Sequence, residues 1–206
     1  LSAALCATLC AALLTGCNED DVERSMGKQT AAAVEKEYGT TRDPLLAEWV
    51  NVTGQRLVGQ SFRQNIPYSF KVLNTDMVNA FAAPWGYIYV TRGMLDFAKS
   101  EDEVAFVMGH EIGHVAHRDS IKSVKKSLLF SLGSALLAGK NRDLSDLSEV
   151  GSGLLLLHYS REDERDADNA GAIHSYGAGF DPAGGEAFFT RLLTLEKGNR
   201  SSSLEH

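Results

Sequence analysis

The stretch Val107 to Asp119 reads VMGHEIGHVAHRD, and at its centre stands His110-Glu111-Ile112-Gly113-His114. Residues four apart on an α-helix share a face, so His110 and His114 can present their imidazoles to one cation with Glu111 beside it. Two neutral imidazoles suit a zinc ion, and a carboxylate next to them can deprotonate water, so the pattern points to a zinc hydrolase. The preceding residues Glu101 to Met108, EDEVAFVM, put Val104, Ala105, Val107 and Met108 at a helical period. One side of this helix is therefore expected to be buried while the histidines look into a cleft. Histidine pairs at this spacing also occur as ordinary core or surface residues, so the pattern needs a further ligand.

A catalytic zinc takes three protein ligands and keeps one position open. An H-E-x-x-H-x-x-G-x-x-H extension is absent, because His117 and Ser120 stand where Gly and His would be required. The best candidate lies in YSREDERDADNAGA, Tyr159 to Ala172. Glu164 and Asp168 are four apart on a helical pattern, so both face one way. Glu164 is assigned as the third ligand and Asp168 as the carboxylate that accepts the second ring N–H of a ligating histidine, fixing its tautomer. Alone, this charge run reads as a solvated helix face with internal ion pairs. Its pairing with the upstream motif lifts it above that.

Three blocks in order, NAFAAPWGYIYVTRGML (Asn79 to Leu95), EDEVAFVMGHEIGHVAHRD and YSREDERDAD, resemble the HtpX and CAAX-prenyl-protease family of gluzincin zinc metallopeptidases, in its soluble periplasmic lipoprotein branch. The resemblance runs from about Met26 to Phe189. It implies that His110, His114 and Glu164 are zinc ligands, one Zn2+ per chain, that Glu111 is the catalytic base, and that Asp168 supports the site. The implied fold is α+β, mainly α, zincin-like, with a small β-sheet beside the H-E-x-x-H active-site helix. In such peptidases a sheet edge pairs with the extended substrate backbone, which makes Gly86, Tyr87 and Ile88 the candidate substrate-binding edge, with Asn79 and Ala80 near the cleft. Where the family usually has Pro-Gly-Gly, this chain has Pro84-Trp85-Gly86, so a differently shaped cleft rim is expected.

The chain opens LSAALCATLCAALLTGCNED. The apolar run from Leu1 to Thr15 is shorter than the roughly 20 residues that cross a bilayer, and suits a signal-peptide core whose charged beginning is missing. Leu14-Thr15-Gly16-Cys17 resembles a bacterial lipobox, so residues 1–16 are expected to be a lipoprotein leader, Cys17 the lipidated mature terminus and 17–25 a linker. Asn18 favours an outer-membrane address facing the periplasm of a Gram-negative cell. Cys6, Cys10 and Cys17 are the three cysteines, so the remainder can form neither an internal disulfide nor a thiolate metal site. A net charge of −7 and a pI near 5.4 speak against nucleic acid, since Lys122, Lys125 and Lys126 are the largest basic group. The expected partners are protein or peptide substrates and a membrane.

One domain over 26–200 is expected, with 204–206, Leu-Glu-His, a tag remnant. From Val22 to Ser61 the pattern is helical with a break at Gly39–Pro44, where Asp43 can cap and Pro44 can open a second helix. Tyr68 to Ala83 turns β-like, and Tyr87 to Thr91 is the clearest strand. Ser127 to Ala138 reads as a helix over the cleft, Gly151 to His158 as an apolar lead-in to Glu164, and the last helix turns Phe188, Leu192 and Leu195 inward. The resemblance also implies a His-Pro pair and an Arg beyond this sequence, acting on substrate or oxyanion. His158, His174 and Arg161 are weaker internal substitutes, so slow turnover is expected. The function read from all this is a zinc endopeptidase of the cell envelope acting on unfolded or misassembled proteins, with Glu111 activating the attacking water. The alternatives are a latent zinc protein acting mainly as a chaperone, and a structural zinc site, which would want a fourth protein ligand.

Overall fold

The computed structural model describes residues 18–126 and 159–202. The leader, Cys17, the stretches 127–138 and 151–158, and the 204–206 remnant lie outside the described residues. The fold is mainly helical with one small sheet. In order come α1 (Glu19–Tyr38), α2 (Pro44–Val58), β1 (Ser69–Leu73), β2 (Ala80–Ala83), a 3-10 turn (Pro84–Gly86), β3 (Tyr87–Thr91), α3 (Arg92–Phe97), α4 (Glu101–His117), α5 (Arg161–Gly177) and α6 (Ala183–Ser202).

Helix α1 starts at Glu19, inside the expected linker. Asn18 caps it by accepting from the Asp20 N–H, and Val22, Glu23 and Met26 are buried. Its acidic first turn disguises it as a linker, although such residues favour a helix N-terminus. Asp43 caps α2 as expected, accepting from Leu45 and Leu46 N–H at 3.0 and 3.2 Å, with Pro44 at the first helical position.

The strands alternate sides, and each side meets a different helix layer. Phe70, Val72, Ala82, Ile88 and Val90 pack with Val50 and Leu57 of α2 and Met108 and Ile112 of α4. Leu73, Ala83 and Tyr89 pack with Ala31 and Val34 of α1. Each fully buried aliphatic side chain of this kind contributes about 1.5–3 kcal/mol. Helix α5 covers the other side of α4, and α6 seals its N-terminal half through Phe188 and Phe189 against Phe97 and Phe106. Phe188 is buried and Leu192 half-buried, but Leu195 is exposed, contrary to expectation.

Helix α4 is therefore buried on every side from Glu103 to Ala116, rather than along one face. A helix enclosed between a sheet and two further helices is apolar all round, and its few polar positions stand out by contrast.

The strand order β1-β3-β2 corrects one expectation. Strand β3 is central, parallel to β1 and antiparallel to β2. Gly86, Tyr87 and Ile88 cannot form a substrate-binding edge, because Tyr87 and Ile88 already pair with Ser69 and Phe70 on one side and with Ala83 and Ala82 on the other. A Cβ at Gly86, whose φ is +88°, would lie 2.3 Å from the Pro67 carbonyl oxygen, so that residue is committed to the sheet's interior. Among the described residues, no strand pairs with the outer side of β2.

Trp85 has φ 67° and ψ 28°, a left-handed conformation unusual for a bulky residue. Its ring is buried, with the Arg24 and Arg63 guanidinium carbons 4.8 and 5.7 Å from its centre. The Trp85 side chain, where the resemblance led to an expected glycine, thus packs inward and does not form a rim.

Candidate functional site

Three structural devices assemble the site. Ser100 caps α4 through the Glu103 N–H, and Arg118, at φ 59°, ends it in a left-handed turn. Ser160 and Asp163 form a reciprocal capping box that starts α5 at Arg161, three residues before Glu164. The third device is the close approach of α4 and α5. A Cβ at Gly113 would lie 2.7 Å from the Ala170 Cβ and 3.2 Å from the Ala167 Cα, so glycine alone permits this spacing.

That approach brings His110, His114 and Glu164 together, with one ligand atom of each within 4.8 Å of the others. The Nε2 atoms of His110 and His114 are 3.1 Å apart, and the Glu164 carboxylate oxygens lie 3.7 and 3.9 Å from them. Donor atoms around one tetrahedral zinc are about 3.4 Å apart, so the set fits this ion. The tautomers point the same way. His110 Nδ1 donates to Asp168 at 3.0 Å and His114 Nδ1 donates to Asp119 at 2.9 Å. With both ring protons committed to carboxylates, two Nε2 lone pairs face each other, an arrangement that a cation relieves.

The two carboxylate partners differ. Asp168 is more than half exposed, while the Asp119 side chain is 0 % exposed and also accepts from Lys122 Nζ at 2.9 Å. Asp168 stands where the sequence placed it. Asp119 was missed, although it closes the motif stretch, because it lies beyond the left-handed turn. Tyr159 was missed as well; its ring stacks on His114 at 4.1 Å and its hydroxyl meets Ser120 Oγ at 3.0 Å.

Glu111 is buried beside His110, Tyr159 and the other carboxylates. Burial alone lowers the His110 pKa, but the Asp168 hydrogen bond and the charges of Glu111, Asp168 and Glu164 outweigh it and hold the ring above its usual 6.5. Burial pushes the Tyr159 phenol well above its usual 10. His174 donates through Nδ1 to the Gly109 carbonyl at 2.9 Å, and burial keeps it below 6.5. It is a core residue that ties α5 to α4. Arg161 opens α5 as an exposed residue, and His158 lies outside the described residues. Ala80 begins β2, which packs against α4, and Asn79 immediately precedes it; the Asn79 carbonyl accepts from Thr91 N–H and Oγ1 at 3.0 and 2.8 Å.

The close packing of α4 on α5 can be tested at Gly113. Gly→Ala in an exposed helix stabilises by about 0.5–1 kcal/mol. Gly113→Ala is expected to do the reverse, costing about 1–3 kcal/mol as α5 is forced outward. Zinc affinity should fall with it, because Glu164 rides on α5. Thermal unfolding and zinc titration check both, and a variant more stable than the parent would contradict the close approach.

A mainly helical protein that holds two histidines and a glutamate around one point, each histidine backed by a carboxylate, has the donor set of a metallohydrolase. Residues 44–193 match the model of Peptidase family M48, and the chain belongs to that family. Its metallopeptidases are zinc-dependent and act on protein or peptide substrates. The chain is 32 % identical over 187 residues to the metalloprotease LoiP of Escherichia coli (strain K12), covering 86 % of this chain and 68 % of that protein. It is 29 % identical over 182 residues to the beta-barrel assembly-enhancing protease of the same strain, covering 83 % of this chain and 37 % of the relative. It is also 34 % identical over 157 residues to the mitochondrial metalloendopeptidase OMA1 of Arabidopsis thaliana, covering 70 % of this chain and 32 % of the relative. The chain thus spans 33–38 % of the length of the beta-barrel assembly-enhancing proteases it matches.

Proposed function

We propose that this chain is a zinc-dependent endopeptidase of the Gram-negative cell envelope that hydrolyses unfolded or misassembled proteins. The observation that carries the reading is the convergence of His110, His114 and Glu164 within 4.8 Å. These three would hold the zinc, with Asp168 and Asp119 fixing the histidine tautomers. Bound zinc would supply a Lewis acid that lowers the pKa of water and shares the charge developing on the scissile carbonyl. Glu111 takes the proton from the attacking water and hands it to the leaving amine as the peptide bond breaks. The outer side of β2, from Ala80 onward and with Asn79 just before it, takes over the substrate-pairing role expected of β3, because it is unpaired among the described residues and its strand packs against α4.

Relatives named as a beta-barrel assembly-enhancing protease and as LoiP support the envelope setting. The lipobox-like Leu14 to Cys17 supports a lipid on Cys17 and an outer-membrane address. Among the described residues, no helix is long and apolar enough to cross a membrane. A fourth protein ligand, which a structural zinc site would want, is not part of the donor group among the described residues.

The purified chain is expected to carry about one zinc per molecule and to cut an unfolded protein such as casein. A chelator should stop cleavage and added zinc restore it. Cleavage that persists without metal, or a chain that takes up no zinc, would overturn the reading.

A further inference from the structure

Helix α1 lies outside residues 44–193 that match the family, yet its Glu23 is only 1 % exposed. A buried carboxylate is costly unless its lone pairs are met. Here Arg63 grips both oxygens through Nη1 and Nη2 at 2.8 and 2.7 Å, the Trp85 N–H donates at 3.3 Å, and Arg118 Nη1 stands 3.6 Å away.

The same Arg63 Nη1 donates to the Val115 carbonyl at 2.7 Å. That carbonyl belongs to the residue after His114, in the last turn of α4, and it also accepts from the Arg118 N–H at 3.1 Å, so Arg63 binds the cap that turns the chain. Arg118 is the left-handed residue that turns the chain toward Asp119, and it is also held by Glu19 and Asp20. Residues 115–119 are the segment that joins His114 to its own carboxylate partner. Glu23 therefore reaches this segment at two points, Val115 through Arg63 and Arg118 directly.

We infer that Glu23, acting through Arg63 and Arg118, is a positioning residue for the His114–Asp119 pair, so that α1 completes the metal site from behind. The effect on metal rests on the zinc reading proposed above. The effect on the His114–Asp119 hydrogen bond does not, because that bond is made by the chain itself.

Glu35 supplies a control on the same helix. It pairs with Lys71 Nζ at 2.7 Å and accepts from Tyr89 Oη at 2.9 Å, all on the sheet side and away from the histidines. Its loss tests destabilisation alone. Glu23→Gln, Arg118→Asn and Glu35→Gln would each be read by zinc competition titration, by melting temperature and by the His114 Nδ1–H resonance of the metal-free protein. Asn is chosen at position 118 because it tolerates the left-handed conformation.

Glu23→Gln is expected to weaken zinc binding about tenfold or more and to shift or broaden the His114 resonance. Arg118→Asn, at a half-buried site, should move both in the same direction by roughly threefold in affinity. Glu35→Gln should lower the melting temperature and leave both unchanged. Since Glu23→Gln leaves Arg63 buried and unpaired and can fail to fold, Arg118→Asn carries the decision in that case. If these variants lose stability while affinity and resonance stay within twofold of the parent, the positioning role is wrong. If the parent itself binds no zinc, the zinc reading fails, and the resonance still decides the positioning.

Discussion

Replacing Glu111 by Gln is expected to slow peptide cleavage by about 10²- to 10⁴-fold, the usual worth of a positioned general base. The amide keeps the size of the side chain and removes its ability to take a proton. Glu111 is not among the three donors that converge, so zinc stoichiometry should stay near that of the parent. Stability should not fall either. Glu111 lies among the same groups as Asp168, Glu164 and Asp119, and removing one of several like charges relieves repulsion in the metal-free protein. The loss should fall in kcat rather than KM, since the proton moves only as the water attacks. A Glu111→Gln protein that cleaves within tenfold of the parent would remove Glu111 from its role as base, whatever the zinc content.

How far the sequence could be read depended on whether the cause of a feature was local. The helical spacing of His110 and His114, the Asp43 cap before Pro44 and the aromatic and β-branched run of Tyr87 to Thr91 are decided within a turn or two of chain, and the structure has all three. The approach of Glu164 could be read because it needs only that two helices face one point. The position of β3 in the sheet could not. A strand followed by a hairpin-like pair gives no local sign of which member takes the parallel partner, and β1 joins β3 across the intervening β2. The burial of Glu23 was equally hidden, since its partner Arg63 is 40 residues away and both read as surface charge. Trp85 shows the opposite case: a bulky residue between Pro84 and Gly86 draws the eye in the sequence, but only packing against Arg24 and Arg63 shows that the ring turns inward.

Asp119 joins these points to a second large expected effect. Five residues after His114, an uninterrupted helix would carry it about 140° around the axis from that histidine, so periodicity argues against a contact. The left-handed turn at Arg118 breaks the helix and returns the carboxylate to His114 Nδ1. Asp119→Asn is expected to weaken zinc binding about 10- to 100-fold. If the amide oxygen faces the ring, the tautomer survives but the charge that raises the ligand's basicity is gone. If the amide nitrogen faces it, the ring must move its proton to Nε2 and can no longer offer that atom to a metal. Lys122 provides the control, because it holds the outer oxygen from an exposed position and Lys122→Ala should change affinity by less than about twofold. Asp168→Asn gives the sharper comparison. Its carboxylate is 56 % exposed, so water can replace much of what it supplies to His110, whereas Asp119 is wholly enclosed. Zinc titration of the two variants should therefore rank Asp119→Asn as the more damaging. The reverse order would mean that enclosure is not what gives the histidine's partner its weight, and that the His110 side of the site dominates binding.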